Sequence, residues 1–86
     1  MIKRYVERYI NNLTKSDAIE LLKKENIHLS DTEVDLCFNY IKKNWFLLFE
    51  NQEKIFSDLS NLLNPTSYNQ IKPILLYYQK KYSSYL

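Results

Sequence analysis

The chain has 86 residues, 45% apolar, 26% charged and 15% aromatic, a composition that folds as one small domain over 1–86 and excludes a multidomain enzyme. It has no glycine, which excludes Walker loops, dinucleotide-binding fingerprints and glycine-turned hairpins, because each needs a residue without a Cβ. The net charge of +2 is too near balance to indicate a nucleic-acid binder by itself.

Taken in chain order, Ile2, Tyr5, Val6, Tyr9 and Ile10 recur at helical spacing and predict a first short helix. Met1–Ile10 alternates charged and apolar residues and does not read as a signal peptide. With the single Cys37 unable to form an internal disulfide, a reducing, cytoplasmic location is expected. The sequon Asn12-Leu13-Thr14 is then a chance match.

Two helix starts follow with the same form. Thr14 is placed to cap the first-turn amides, with Asp17 three residues on and Leu13 facing Ala18 as a staple. Ser30, Glu33, Leu29 and Val34 repeat the arrangement, and the box ending in Glu is the stronger of the two by sequence. Ala18, Ile19, Leu21 and Leu22 predict a helix over about 15–25, and Val34, Cys37, Phe38 and Ile41 another over about 31–43. Five residues connect them, so a helical hairpin or corner is expected at about 15–43.

Trp45-Phe46-Leu47-Leu48-Phe49 is the longest apolar run, far short of a membrane span. No helix buries five consecutive side chains on one face, so the run is either threaded through the core or partly exposed; core is expected for most of it. Asn51 caps a further helix carrying Ile55, Phe56, Leu59, Leu62 and Leu63. Asn64-Pro65 ends that helix and starts the last, at about 65–84, with Tyr68, Ile71, Leu75, Tyr78 and Tyr82 on one face. Pro73 removes a backbone bond to the Asn69 carbonyl, so a kink or break is expected there. No period-two stretch occurs, and the fold class read from the sequence is all-α, a small bundle of about five short helices. Without glycine, Asn26, Asn44 and Asn64 are the residues available for left-handed helix ends.

Asn12-Leu13-Thr14 before the Asp17–Leu22 segment, and Asn26-Ile27-His28-Leu29-Ser30 before an amphipathic helix, resemble the small YqfT family of low-GC Gram-positive bacteria. The likeness runs over roughly 10–80, through Phe49-Glu50-Asn51 and Asn64-Pro65, and departs in Trp45–Leu48, in Pro73 and in the tyrosine-rich tail. It implies a cytoplasmic helical protein with no established activity. The abundance of Lys, Asn, Ile and Tyr fits an AT-rich genome.

Catalytic and ligand chemistry has little to work with. His28 and Cys37 are one histidine and one thiol, too few for a structural zinc site, and Cys37 falls on an apolar stripe where a thiol is inert. Asp31, Asp35, Glu50, Glu53 and Asp58 are explained as helix-start charges or a solvated face. No enzyme activity, cofactor, metal or small-molecule ligand is expected. A helix-turn-helix reading of the hairpin fails on charge, because Asp31, Glu33 and Asp35 would lie among the phosphates.

Charge is distributed unevenly: Lys3, Arg4, Arg8 and Lys15 against Glu7 make 1–15 basic, and 59–86 has Lys72, Lys80 and Lys81 with no acid. The middle, 16–58, is acidic. The termini are therefore expected to pack near each other and complement it. Lys80 and Lys81 interleave with Tyr77, Tyr78, Tyr82 and Tyr85, a mixture suited to a protein interface or to phosphates and stacked bases. The expected function is a non-enzymatic interaction or regulatory protein. Its partner is another protein or a second copy, and the candidate contacts are Trp45, Phe46, Phe49, Tyr77, Tyr78, Lys80, Lys81, Tyr82 and Tyr85. The alternative is a weak, non-sequence-specific nucleic-acid module using the basic ends.

Overall fold

Thr14, Ser30, Asn51 and Asn64 each supply a side-chain oxygen to a free first-turn amide, and these four contacts divide the chain into its helices. The computed structural model describes residues 2–83, and over them the fold is all-α. The helices are α1 (Ile2–Asn12), α2 (Lys15–Lys24), α3 (Asp31–Asn44), α4 (Leu47–Glu50), α5 (Gln52–Leu62) and α6 (Pro65–Ser83). The sixth element, beyond the five expected, is α4, because the Trp45–Phe49 run turns helical instead of crossing as an extended link.

The capping box closes fully at α2, where Asp17 N–H donates to Thr14 Oγ1 and Thr14 N–H donates to Asp17 Oδ2, both at 3.1 Å. At α3 only half of the expected box is present. Glu33 N–H donates to Ser30 Oγ at 3.2 Å, while the Glu33 carboxylate turns to α6. The ranking of the two boxes by sequence is thus reversed, since the longer Glu side chain reaches better-placed donors than its own cap amide.

The α2–α3 connection is closed by Asn26, whose φ of 57° is left-handed. Ile27 N–H donates to Leu22 O at 2.8 Å and Asn26 N–H to Lys23 O at 3.1 Å, a Schellman pattern that buries Ile27 beside Leu22. The corresponding expectation for Asn44 and Asn64 does not hold. Neither has positive φ; Asn44 lies inside α3 with its amide donating to Tyr40 O, and Asn64 caps α6. Asparagine opens helices here more than it closes them.

Two clusters form the core. Ile27, Leu63 and Ile71 make one and Leu48, Ile55 and Leu59 the other, with Cys37, Leu62, Tyr68 and Leu75 packed against both. Elements α3 to α6 therefore enclose one continuous interior. Element α6 runs through Pro73 without the break that the ring could have caused; Asn69 and Pro73 are exposed, so water reaches that side.

Polar ties cross between helices, the Lys15–Asp35 ion pair of α2 and α3 among them. Glu33 joins α3 to the start of α6, accepting from Asn64 N–H at 2.9 Å and from Ser67 Oγ at 2.8 Å. Tyr40 Oη donates to Asp58 Oδ2 at 2.6 Å, linking α3 to α5. Lys42 Nζ donates to Asn11 O at 3.0 Å and Leu13 O at 2.9 Å, so this lysine serves the carbonyl end of α1 in addition to the end of its own helix.

Candidate functional site

The sparse catalytic candidates do not converge. His28 is exposed on the α2–α3 connection, its N–H donating to Gln70 Oε1 at 3.3 Å. Cys37 packs between the two core clusters, and burial, helped by the negative charge of Glu33, pushes its thiol up to about 11. Such a thiol is not a nucleophile at neutral pH. Asp35 pairs with Lys15 and Asp58 with Tyr40 and Lys54. Among the described residues no group of three or more His, Cys, Asp or Glu is placed to hold a metal ion, and no helix is long and apolar enough to cross a membrane.

The aromatic run divides between core and rim. Leu48 is buried, with Leu47 and Phe49 packed on its cluster. Trp45 sits edge-on to Phe46 at 6.4 Å and to Phe49 at 6.3 Å, and all three rings are half-buried. The expectation of core for most of the run is met in full only at Leu48, because the short α4 turns the other four side chains to the half-buried margin of the cluster.

The C-terminal tyrosines behave differently. Tyr77 and Tyr78 stack at 5.4 Å with an interplanar angle of 19°, and Tyr78 and Tyr82 at 6.3 Å and 9°. Tyr77 is 56% exposed, Tyr78 and Tyr82 are half-buried, and Lys80 and Lys81 are exposed. Lys81 Nζ stands 6.0 Å over Tyr77 and 5.5 Å over Tyr82, so one cation serves two rings. Lys72 instead lies over Phe56 and Tyr68, covering rings of the molecule's own body. Tyr85 lies outside the described residues.

The structure adds two residues that the sequence did not single out. Tyr5 is 70% and Tyr9 61% exposed, the most open aromatic rings among the described residues. Helical spacing placed both on the apolar stripe of α1, and spacing alone says nothing of whether another element covers that stripe. Tyr9 also lies in the surroundings of Tyr78. Burial first, and then the nearby Tyr9 and Glu25, raise the Tyr78 phenol above its ordinary value. Tyr9 of α1 therefore lies near enough to Tyr78 of α6 to act on its charge, and Tyr78 in turn stacks with Tyr77 and Tyr82.

Beside this region an open trough of about 680 Å³ runs between α1 and α2, lined by Tyr9, Asn12, Leu13, Asp17, Glu20, Leu21 and Lys24. Hydrogen bonds from the Thr14 N–H and hydroxyl hold the Asp17 carboxyl below its usual value, so it is charged at neutral pH. The chain matches no family model, no curated protein and no solved structure.

Proposed function

We propose that this chain is a small non-enzymatic interaction or regulatory protein that binds a protein partner through the tyrosine surface shared by α1 and α6. The single observation that carries the reading is the exposure of Tyr77 on the Tyr78–Tyr82 stack, with the exposed Tyr9 near Tyr78 and Tyr5 exposed on the same helix as Tyr9. Tyrosine gives large contact area with few rotamers to freeze, which is why it anchors protein interfaces. Lys80 and Lys81 supply a basic rim, so the partner surface carries acidic groups. Trp45, Phe46 and Phe49 extend the candidate contacts where their half-buried edges face out.

A cytoplasmic location belongs to the same proposal, supported by a single half-buried cysteine whose thiol is held protonated and by the lack of a second thiol in the sequence. Kinship with the YqfT family is likewise proposed, on the helix starts at Asn12-Leu13-Thr14, Asn26-Ile27-His28-Leu29-Ser30, Phe49-Glu50-Asn51 and Asn64-Pro65. The second reading is a weak nucleic-acid module, favoured by the stacked rings with Lys81 over two of them.

The test is affinity capture with the intact chain and with a Tyr9→Ala/Tyr77→Ala variant, with and without nuclease. The reading expects a protein retained by the first, lost from the variant and indifferent to nuclease. Retention that disappears with nuclease, or that falls steeply with salt on labelled single strands, moves the function to the second reading.

A further inference from the structure

Buried apolar side chains are distributed unevenly along this fold. All of them, from Ile27 to Ile71, lie beyond α2. Among the described side chains of α1, α2 and the link between them none is buried: Val6, Ile10, Leu13, Ala18, Ile19, Leu21 and Leu22 are all half-buried. This N-terminal layer is an apolar surface covered on one side only, and the trough is its open side.

The trough states the chemistry of what would fill it. Tyr9, Leu13 and Leu21 offer apolar surface, and Asp17 and Glu20 set two carboxylates along it against the single cation of Lys24. The occupant is therefore an amphipathic segment with basic groups beside an apolar strip. A phosphate backbone would meet Asp17 and Glu20 and be repelled.

Element α1 itself has this composition. At 100° per residue, Tyr5, Tyr9 and Asn12 fall on one strip, with Arg8 and then Arg4 alongside it. Tyr5, Tyr9, Arg4 and Arg8 are all exposed. Tyr9 and Asn12 also line the trough, so the strip and the trough adjoin. Two copies meeting antiparallel across this edge lay each strip against the other's trough at once, the self-complementary contact of a twofold dimer. Register is chosen by charge. Strip against strip would bring Arg4 and Arg8 of one copy against Arg8 and Arg4 of the other, whereas strip against trough sets Arg4 opposite Asp17 and Arg8 opposite Glu20.

We propose that the α1–α2 trough receives α1 of a second copy, Tyr5 and Tyr9 filling the apolar part and Arg4 and Arg8 facing Asp17 and Glu20. The proposal rests on the interaction reading above and names the partner for its N-terminal half. Sedimentation of the intact chain tests it over a concentration range of about 1 μM to 1 mM, with helicity checked by circular dichroism. A monomer–dimer equilibrium is expected. Arg8→Glu and Glu20→Lys, both at exposed positions, should each weaken it about tenfold, since two symmetry-related attractions become repulsions. An equimolar mixture of these two variants restores opposite charges at both contacts and should recover the dimer.

A chain that stays monomeric throughout overturns the inference. So does a dimer indifferent to both substitutions, or a mixture that fails to recover. If a partner protein is still captured and lost with Tyr9→Ala/Tyr77→Ala while the chain is monomeric, the self-association inference fails and the interaction reading stands.

Discussion

Glu33 and Ser67, 34 positions apart, are joined by a 2.8 Å hydrogen bond from the serine hydroxyl to the carboxylate, at the point where α3 and α6 both begin. The same carboxylate accepts from Asn64 N–H at 2.9 Å. One acid therefore serves two helix starts, where the positive ends of both helix dipoles favour it. The Asn64 amide, followed by the Ser67 hydroxyl, holds the Glu33 carboxyl below its ordinary value of 4.5. Ser67 is only 3% exposed, so Ser67→Ala should cost about 1 kcal/mol, a fall of roughly 4–8 °C in Tm for a domain of this size.

The pH dependence follows from the same contact. A carboxyl depressed in the fold stabilises it fully above the ordinary carboxylate range, and the contribution is lost as pH falls through the depressed value. Asp17 and Asp58 are shifted in the same direction, by Thr14 and Tyr40 respectively. The carboxylate contribution to Tm should therefore hold from neutral pH down to the mid-acid range and decline below it. Glu33→Gln should lower Tm near neutrality and flatten part of that decline, as scanning calorimetry across pH will read.

Tyr40 should report at the opposite end of the scale. Desolvation, followed by its bond to Asp58, raises this phenol well above 10. Its un-ionised form stabilises the fold below that ordinary value, and the contribution disappears as pH rises through the folded one. Alkaline titration followed by ultraviolet absorbance should show a late-ionising tyrosine that Tyr40→Phe removes, with Tm at neutral pH lower by a few degrees.

Cys37 gives a direct reading of burial. A thiol raised from 9.0 to about 11 has a thiolate fraction at neutral pH lower by about 100-fold, before any steric protection. Alkylation should be slower than in the urea-unfolded chain by at least that factor and should accelerate at the unfolding midpoint. Labelling at equal rates in both states would remove the thiol from the core.

Asn26 tests the glycine-free closure. At φ 57° a residue with a branched Cβ is strained, so Asn26→Val should lose about 1–2 kcal/mol in urea unfolding, while Asn26→Gly should be near neutral. Equal midpoints for the two variants would place residue 26 elsewhere in backbone space.

Much of this fold was legible in the residues. Thr14, Ser30, Asn51 and Asn64-Pro65 open helices where capping chemistry puts them, and the apolar spacings that follow fix their type. What was not legible depended on distance in space. Glu33 has the sequence of a local capping box, and only the fold brings Ser67 and the Asn64 amide within its reach. Tyr5 and Tyr9 share the periodicity of buried positions, yet among the described residues no element covers them enough to bury either ring. For the candidate site, the Tyr77, Tyr78, Lys81 and Tyr82 ladder was visible as interleaved cations and rings, whereas Tyr9 as an exposed ring near Tyr78 was not singled out.

The exposed tyrosines of α1 and α6 are the proposed meeting place of this protein and its partner. Photo-crosslinking in cells tests it most directly, with a benzophenone side chain placed in turn at Tyr9, Tyr77 and the exposed Asn61 of α5. Discrete protein adducts at Tyr9 and Tyr77 with none at Asn61 are predicted. Adducts at all three positions in equal yield, or at Asn61 alone, would contradict it.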